Sequence, residues 1–201
     1  MNTRPPLILA STSPYRRELL QRLRLPFEVM APGVDEARLP AEAPAAMALR
    51  LALAKARAIA ALRPDAVVMG SDQVADLEGL ALGKPGDHDR ATAQLRQLSG
   101  RRAVFQTAVA VVRPATGFEQ ALLAPVNVQF RALSDAEIEH YLQAEQPYDC
   151  AGSAKSESLG IALLESIQSD DPTALVGLPM IRTCRLLRDA GIDPLLAWSE
   201  P

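Results

Sequence analysis

The sequence predicts an α/β fold in which helices flank a central mixed β-sheet. Three observations carry this. Short β-branched apolar runs alternate with amphipathic helical stretches along the chain, which is the pattern of a layered α/β protein. Residues 104–113 and 119–131 are two long strand-like runs separated by Pro114-Ala115-Thr116-Gly117, a hairpin signal that puts antiparallel strands into the sheet. No repeat, low-complexity tract or linker interrupts the 201 residues, 48% of them hydrophobic. The whole of 1–201 therefore reads as one domain able to bury its own core.

The elements follow in order. Leu7-Ile8-Leu9-Ala10 reads as a short buried strand. Ser13 is a good N-cap and Pro14 suits a first helical turn, and Leu19, Leu20 and Leu23 carry helical spacing. Phe27-Glu28-Val29-Met30 reads as a second strand that leads into Gly33-Val34-Asp35-Glu36. A helix runs from about Pro44 to Leu62, ended by Pro64, with Met47, Leu51, Lys55, Ala58 and Leu62 on one face. Ala66-Val67-Val68-Met69-Gly70 is a central strand ending at Ser71-Asp72-Gln73. Asp87 caps a helix with the stripe Ala91, Leu95 and Leu98, and Gly100 lies just beyond. After the hairpin, Ser134 and Glu137 form a capping box for a helix ending before Pro147. A loop over 150–160 precedes a strand near 161–167, and a last helix runs from Pro179 to Gly191.

Composition removes several function classes. A net charge of -3 with 22% charged residues excludes disorder and gives no reason to expect a nucleic-acid polymer as partner. No stretch approaches the ~20 apolar residues of a membrane span. Met1-Asn2-Thr3-Arg4 holds one basic residue, and the apolar run after it is too short for a signal peptide. Cys150 and Cys184 lack metal or redox spacing and read as reduced structural thiols. The cytoplasm follows by elimination. Only His88 and His140 are present, both in polar helical segments read as solvated, too few for a Ser-His-Asp triad or a histidine zinc site. A metal would be a hard divalent cation on carboxylates, Mg²⁺ or Mn²⁺.

The candidate chemistry lies on strand ends and turns. The segment Ser11-Thr12-Ser13-Pro14-Tyr15-Arg16-Arg17 joins hydroxyls, a helix N-terminus and two guanidinium groups, all suited to phosphate; a capped helix with solvated arginines is the bland alternative. Of 21 basic residues only Lys55, Lys84 and Lys155 are lysines. In so arginine-rich a chain, a remaining lysine suggests a site that needs a compact ammonium. Lys55 falls in an apolar helix stripe, Lys84 in the turn Gly83-Lys84-Pro85-Gly86, and Lys155 in the small-residue loop. Asp72 follows the central strand, where open α/β sheets bind ligands, and Glu36 supplies a second carboxylate. Each can hold a cation or cap a turn, and Asp72 can instead accept a proton from water.

Together these residues resemble the Maf family of nucleotide pyrophosphatases. The resemblance runs from Leu7 to about Leu195 through Ala10-Ser11-Thr12-Ser13-Pro14-Tyr15-Arg16-Arg17, Val34-Asp35-Glu36, Lys55-Ala56, Gly70-Ser71-Asp72-Gln73-Val74, Gly83-Lys84-Pro85 and Val176-Gly177-Leu178-Pro179. It implies a Maf/ITPase-like two-lobed fold, usually homodimeric, and hydrolysis of a nucleoside triphosphate to monophosphate and pyrophosphate with a divalent cation. It also implies that Asp72 is the proton acceptor, and that Glu36, with Asp72, holds the metal. Ser11, Arg16, Arg17, Lys55 and Lys84 match the phosphate-binding positions. Tyr15, Gln73 and Glu157 match the base-specificity positions, where pyrimidine-specific members carry Arg, Thr and Gln. This set is similar to the 7-methyl-GTP branch, which often has Trp where this chain has Tyr15. Two alternatives stay open: a Maf enzyme acting on dTTP, UTP or CTP, and a non-catalytic nucleotide-binding regulator linked to cell division.

Overall fold

The computed structural model describes residues 5–196; Met1-Asn2-Thr3-Arg4, read above for a targeting signal, lies outside them. The sheet is mixed, as expected, in the order β2 (Glu28–Met30), β1 (Leu7–Ala10), β3 (Val67–Leu77), β5 (Arg102–Arg113), β6 (Phe118–Phe130) and β7 (Leu164–Gln168). A short β4 (Leu80–Leu82), not anticipated from the sequence, folds back on β3. β1 pairs in parallel with both β2 and β3, and every later pairing is antiparallel.

Asp72 does not follow a strand; it lies within one. β1 meets β3 only from Leu7↔Val67 to Ala10↔Gly70, whereas β5 meets it from Val68↔Val112 to Asp76↔Val104. The long antiparallel partner keeps β3 extended after its apolar run ends. Asp72 thus sits where β1 has stopped and one edge of β3 is open.

Side chains of β1 alternate between two cores, as a strand period of two requires. Leu7 and Leu9 pack with Leu19, Leu20, Leu186 and Leu187, from α1 (Pro14–Gln21) and α5 (Met180–Asp189). Ile8 and Ala10 pack with Ala52, Ala56 and Ile59 of α2 (Pro44–Leu62). A third core joins Phe105 and Phe130 to α3 (His88–Leu98) and α4 (Asp135–Glu145).

The ends of α2 fall at the predicted residues, but its buried face is rotated. Ala48, Leu51, Ala52, Lys55, Ala56 and Ile59 point inward, while Leu62, read as part of the stripe, is 68% exposed. The small side chains bring the helix onto Gly70 of β3, where a Cβ would stand 2.7 Å from the Ala56 nitrogen. Close approach outweighs apolar bulk in choosing the face.

Capping follows the sequence at Ser13, Asp87 and the Ser134–Glu137 box. α5 differs: Pro179 offers no side chain, and the fully buried Asp171 instead accepts from the backbone N–H groups of Ile181 and Arg182 at 3.2 and 3.0 Å. β7 starts later than expected because Leu159–Leu163 is a 3₁₀ turn. His140 is exposed, but His88 is half-buried between the Tyr148 hydroxyl at 3.1 Å and Glu139 at 3.0 Å, so its reading as solvated is corrected. Both cysteines are free. No helix of the described residues is long and apolar enough to cross a membrane.

Candidate active site

A cleft of about 500 Å³ opens beside Asp72, within the size range of small-molecule sites. Its centre is an ammonium. Lys55 is 5% exposed, its Nζ donates to Asp72 Oδ1 at 2.7 Å, and Glu36 Oε1 lies 2.6 Å away. The close fit of α2 on Gly70 is what lets Lys55 reach the strand. Glu36 comes from the irregular stretch after β2, and its side chain is 55% exposed. Burial pushes the Glu36 carboxyl up. The hydrogen bond from Lys55 and the charges of Lys55, Lys84 and Arg16 outweigh that and hold it below the usual carboxylate range.

The start of α1 forms one wall. Ser13 Oγ accepts from the Arg16 N–H at 3.4 Å, and Ser11 Oγ accepts from the Ser13 N–H at 3.1 Å. Ser11 is buried and shapes this turn from behind without lining the cleft. Arg16 lines it, with Nε donating to the Gly177 carbonyl at 2.9 Å. Desolvation lowers the Arg16 guanidinium, opposed by Asp72 and Glu36; arginine remains charged throughout. Arg17 departs from the expectation. One residue further round the helix, about 100° away, it is exposed and lines a separate depression with Gln21, Leu25 and Phe27. Lys84 lines the cleft on an exposed turn.

The remaining predicted residues, Tyr15, Gln73 and Glu157, also line the cleft. Gln73 Nε2 donates to the carbonyls of Ala174 and Leu175 at 3.0 Å each and to Thr107 Oγ1 at 2.9 Å. Its amide nitrogen therefore ties down the turn before Gly177, leaving Oε1 as the side chain's acceptor. The Tyr15 phenol is pushed up to about 12 by burial first, then by Cys150 and Asp149. Desolvation also raises the Glu157 carboxyl, with Lys155 opposing.

A family model described as Maf-like protein matches residues 6–190. The chain belongs to the Maf family. It is 70% identical over 190 residues to a 7-methyl-GTP pyrophosphatase of Polaromonas sp. (strain JS666 / ATCC BAA-500), covering 94% of this chain and 87% of that relative. A second protein of that name, from Albidiferax ferrireducens, is 69% identical over 94% of this chain and 95% of its own length. A third, from Thiobacillus denitrificans, is 57% identical over 98% and 97%.

This Maf-family cleft also holds a residue that the sequence did not single out. Arg38 lines it while Nε and Nη2 donate to the Glu42 carbonyl at 2.9 and 2.6 Å. Lys155 Nζ sits 5.6 Å from the Tyr15 ring centroid and 2.8 Å from Glu145 Oε1. Lys155, singled out among the three lysines of an arginine-rich chain, thus stands beside the cleft residue Tyr15.

Proposed function

We propose that this chain hydrolyses 7-methyl-GTP at the α–β phosphoanhydride, releasing 7-methyl-GMP and pyrophosphate. The observation that carries this is the meeting of Asp72 and Glu36 on one buried ammonium, in a cleft whose walls also hold Arg16, Lys84 and a helix N-terminus. Two carboxylates suit a divalent cation that keeps waters and takes substrate phosphate oxygens as its other ligands. Glu36 and Asp72, the two carboxylates that meet at Lys55 in the cleft, are the residues that would bind Mg²⁺ or Mn²⁺; among the described residues no group of three His, Cys, Asp or Glu side chains is placed to hold a metal. Such an ion supplies charge neutralisation at the phosphate and a more acidic water.

The protein's own groups do the rest. The α1 N–H groups, Arg16 and Lys84 orient the triphosphate and offset the charge that grows on the departing pyrophosphate. Asp72, anchored through Oδ1 by Lys55, presents its other oxygen to the attacking water and accepts its proton as the new oxygen–phosphorus bond forms. Ser11 holds the turn and Gln73 holds the Ala174–Val176 segment.

Base choice rests on Tyr15 and Glu157. Methylation at N7 makes guanine cationic, and a cation over an aromatic face gains ~0.5–2 kcal/mol. Tyr15 already has an ammonium beside its ring. The Glu157 carboxylate accepts from the guanine N1–H and N2–H groups in charge-assisted hydrogen bonds. The same reading makes the chain one two-lobed domain over 1–201 and a cytoplasmic homodimer whose partner is a free nucleotide, neither nucleic-acid polymer nor membrane.

Pyrophosphate release across 7-methyl-GTP, GTP, dTTP, UTP and CTP tests the substrate. Preference for a pyrimidine would move the chain to the other branch of the family. Nucleotide binding with saturating Mg²⁺ and no pyrophosphate release would make it a regulator. Asp72→Asn is expected to abolish turnover in a folded protein, and near-wild-type turnover would overturn the role of Asp72.

A further inference from the structure

Glu145 occupies the last turn of α4, where a carboxylate faces the negative end of the helix dipole. Local preference is against it, and its side chain is only 13% exposed. Tertiary contacts explain the placement. Oε1 accepts from Lys155 Nζ at 2.8 Å, and Oε2 accepts from the Leu159 backbone N–H at 3.1 Å. The intervening chain closes on itself, since the Ser158 N–H and Oγ both donate to the Lys155 carbonyl, at 3.2 and 3.4 Å. Gly160 completes the fold-back: a Cβ there would stand 2.5 Å from the same carbonyl oxygen. Behind the turn, the Tyr141 hydroxyl accepts from the Lys155 N–H at 3.1 Å and donates to the Ser153 carbonyl at 3.2 Å.

Residues 155–159 are therefore a closed turn with both ends tied to α4 and Glu157 at its tip. The anchored Lys155 ammonium also lies 5.6 Å from the Tyr15 ring centroid. One carboxylate thus links two groups that line the cleft, Tyr15 and Glu157. It stays ionised there: burial raises its carboxyl, but the hydrogen bonds from Lys155 and the Leu159 N–H, with the Lys155 charge, bring it below the usual range.

We propose that Glu145 is a positioning residue for base recognition, holding the 155–159 turn so that Glu157 faces the base and Lys155 braces the Tyr15 ring. It acts through those residues and touches no part of the nucleotide. The proposal rests on the reading of Tyr15 and Glu157 as base contacts.

The test uses the full chain with Glu145→Ala and Glu145→Gln, and inorganic triphosphate as a competitive inhibitor that lacks a base. Glu145→Ala is expected to raise KM for 7-methyl-GTP roughly tenfold with kcat within about twofold. The 7-methyl-GTP over GTP preference should collapse, and the triphosphate inhibition constant should hold. Gln keeps an acceptor for the Leu159 N–H and loses only the charge toward Lys155, so its KM falls between wild type and Ala. Unchanged KM and preference in Glu145→Ala would overturn the proposal, as would equal weakening of nucleotide and triphosphate. If Glu145→Ala fails to fold, Glu145→Gln decides on the same two ratios. Should wild type favour another nucleotide, the substrate reading fails by itself, and KM for that nucleotide against triphosphate inhibition still tests Glu145.

Discussion

Replacing Lys55 with Met removes the ammonium while keeping an unbranched apolar chain among Leu51, Ala52 and Ala56. Asp72 is buried, and Lys55 Nζ is 2.7 Å from it. Removing one partner of such a buried pair costs about 3–5 kcal/mol, because the other charge is left unpaired. The Glu36 contact adds little, since a carboxylate 55% exposed behaves like a surface partner worth about 0–1 kcal/mol. At about 2–4 °C per kcal/mol for a domain of this size, Tm should fall by roughly 6–20 °C by scanning calorimetry. Turnover should fall about 10²–10³-fold, as when one preorganised donor is removed. The two carboxylates then face each other without a counter-charge, so Mg²⁺ should stabilise the variant more than wild type; a hundredfold excess over the variant's Kd contributes about 2.7 kcal/mol in all. Adding Asp72→Asn should return much of the lost stability, because the two sites are directly coupled. A Lys55→Met protein with Tm within about 2 °C of wild type and no extra response to Mg²⁺ would refute the reasoning.

Three further outcomes follow from the geometry. Arg16→Ala should lower kcat/KM roughly 10–100-fold, the scale of a charged hydrogen bond, whereas Arg17→Ala should leave KM within about twofold; equal losses would place both arginines on the substrate. Gly70→Ala puts a methyl group against the Ala52 carbonyl oxygen and 2.7 Å from the Ala56 nitrogen, both backbone atoms of α2, so overpacking at or above the upper end of the usual range of about 1–3 kcal/mol should appear as a lower Tm. Burial, then Asp149, pushes the Cys150 thiol from 9.0 to about 12, and Tyr15 moves from 10.0 to about 12. The unfolded chain therefore loses these protons first, and stability should decline as pH rises from about 9 toward 12. A Tm-against-pH series should show a shallower alkaline slope for Cys150→Ala, and identical slopes would contradict the burial of the thiol.

What the sequence made legible is what local chemistry determines. The capping box at Ser134 and Glu137, the Asp87 cap, the proline-bounded α2 and the hairpin turn all appear where the chain's own neighbours dictate. The failures share another cause. β3 runs on through Asp72 because β5 supplies distant backbone partners, and α5 is capped by Asp171 from outside the helix. Arg17 was placed beside Arg16 because they adjoin in sequence, although adjacent helical residues diverge by about 100°. Glu145 was readable in principle: an acid in the last turn of a helix contradicts local preference, and such a conflict marks a tertiary or functional demand.

The alanine face of α2 connects stability to chemistry more tightly than a list of site residues suggests. Lys55 reaches Asp72 because Ala52 and Ala56 let the helix rest on Gly70. A larger side chain at either alanine would push the helix outward. Some of that displacement could be absorbed by repacking, because apolar cores tolerate modest volume changes for about 1–3 kcal/mol. The 2.7 Å Lys55–Asp72 contact has no comparable slack, since a shift of about 1 Å takes a hydrogen bond beyond its useful range. Ala56→Val should therefore lose turnover by a larger factor than its small fall in Tm implies, with most of the loss in kcat. A variant that kept kcat while losing several degrees of Tm would show that Lys55 follows the strand independently of the helix that carries it.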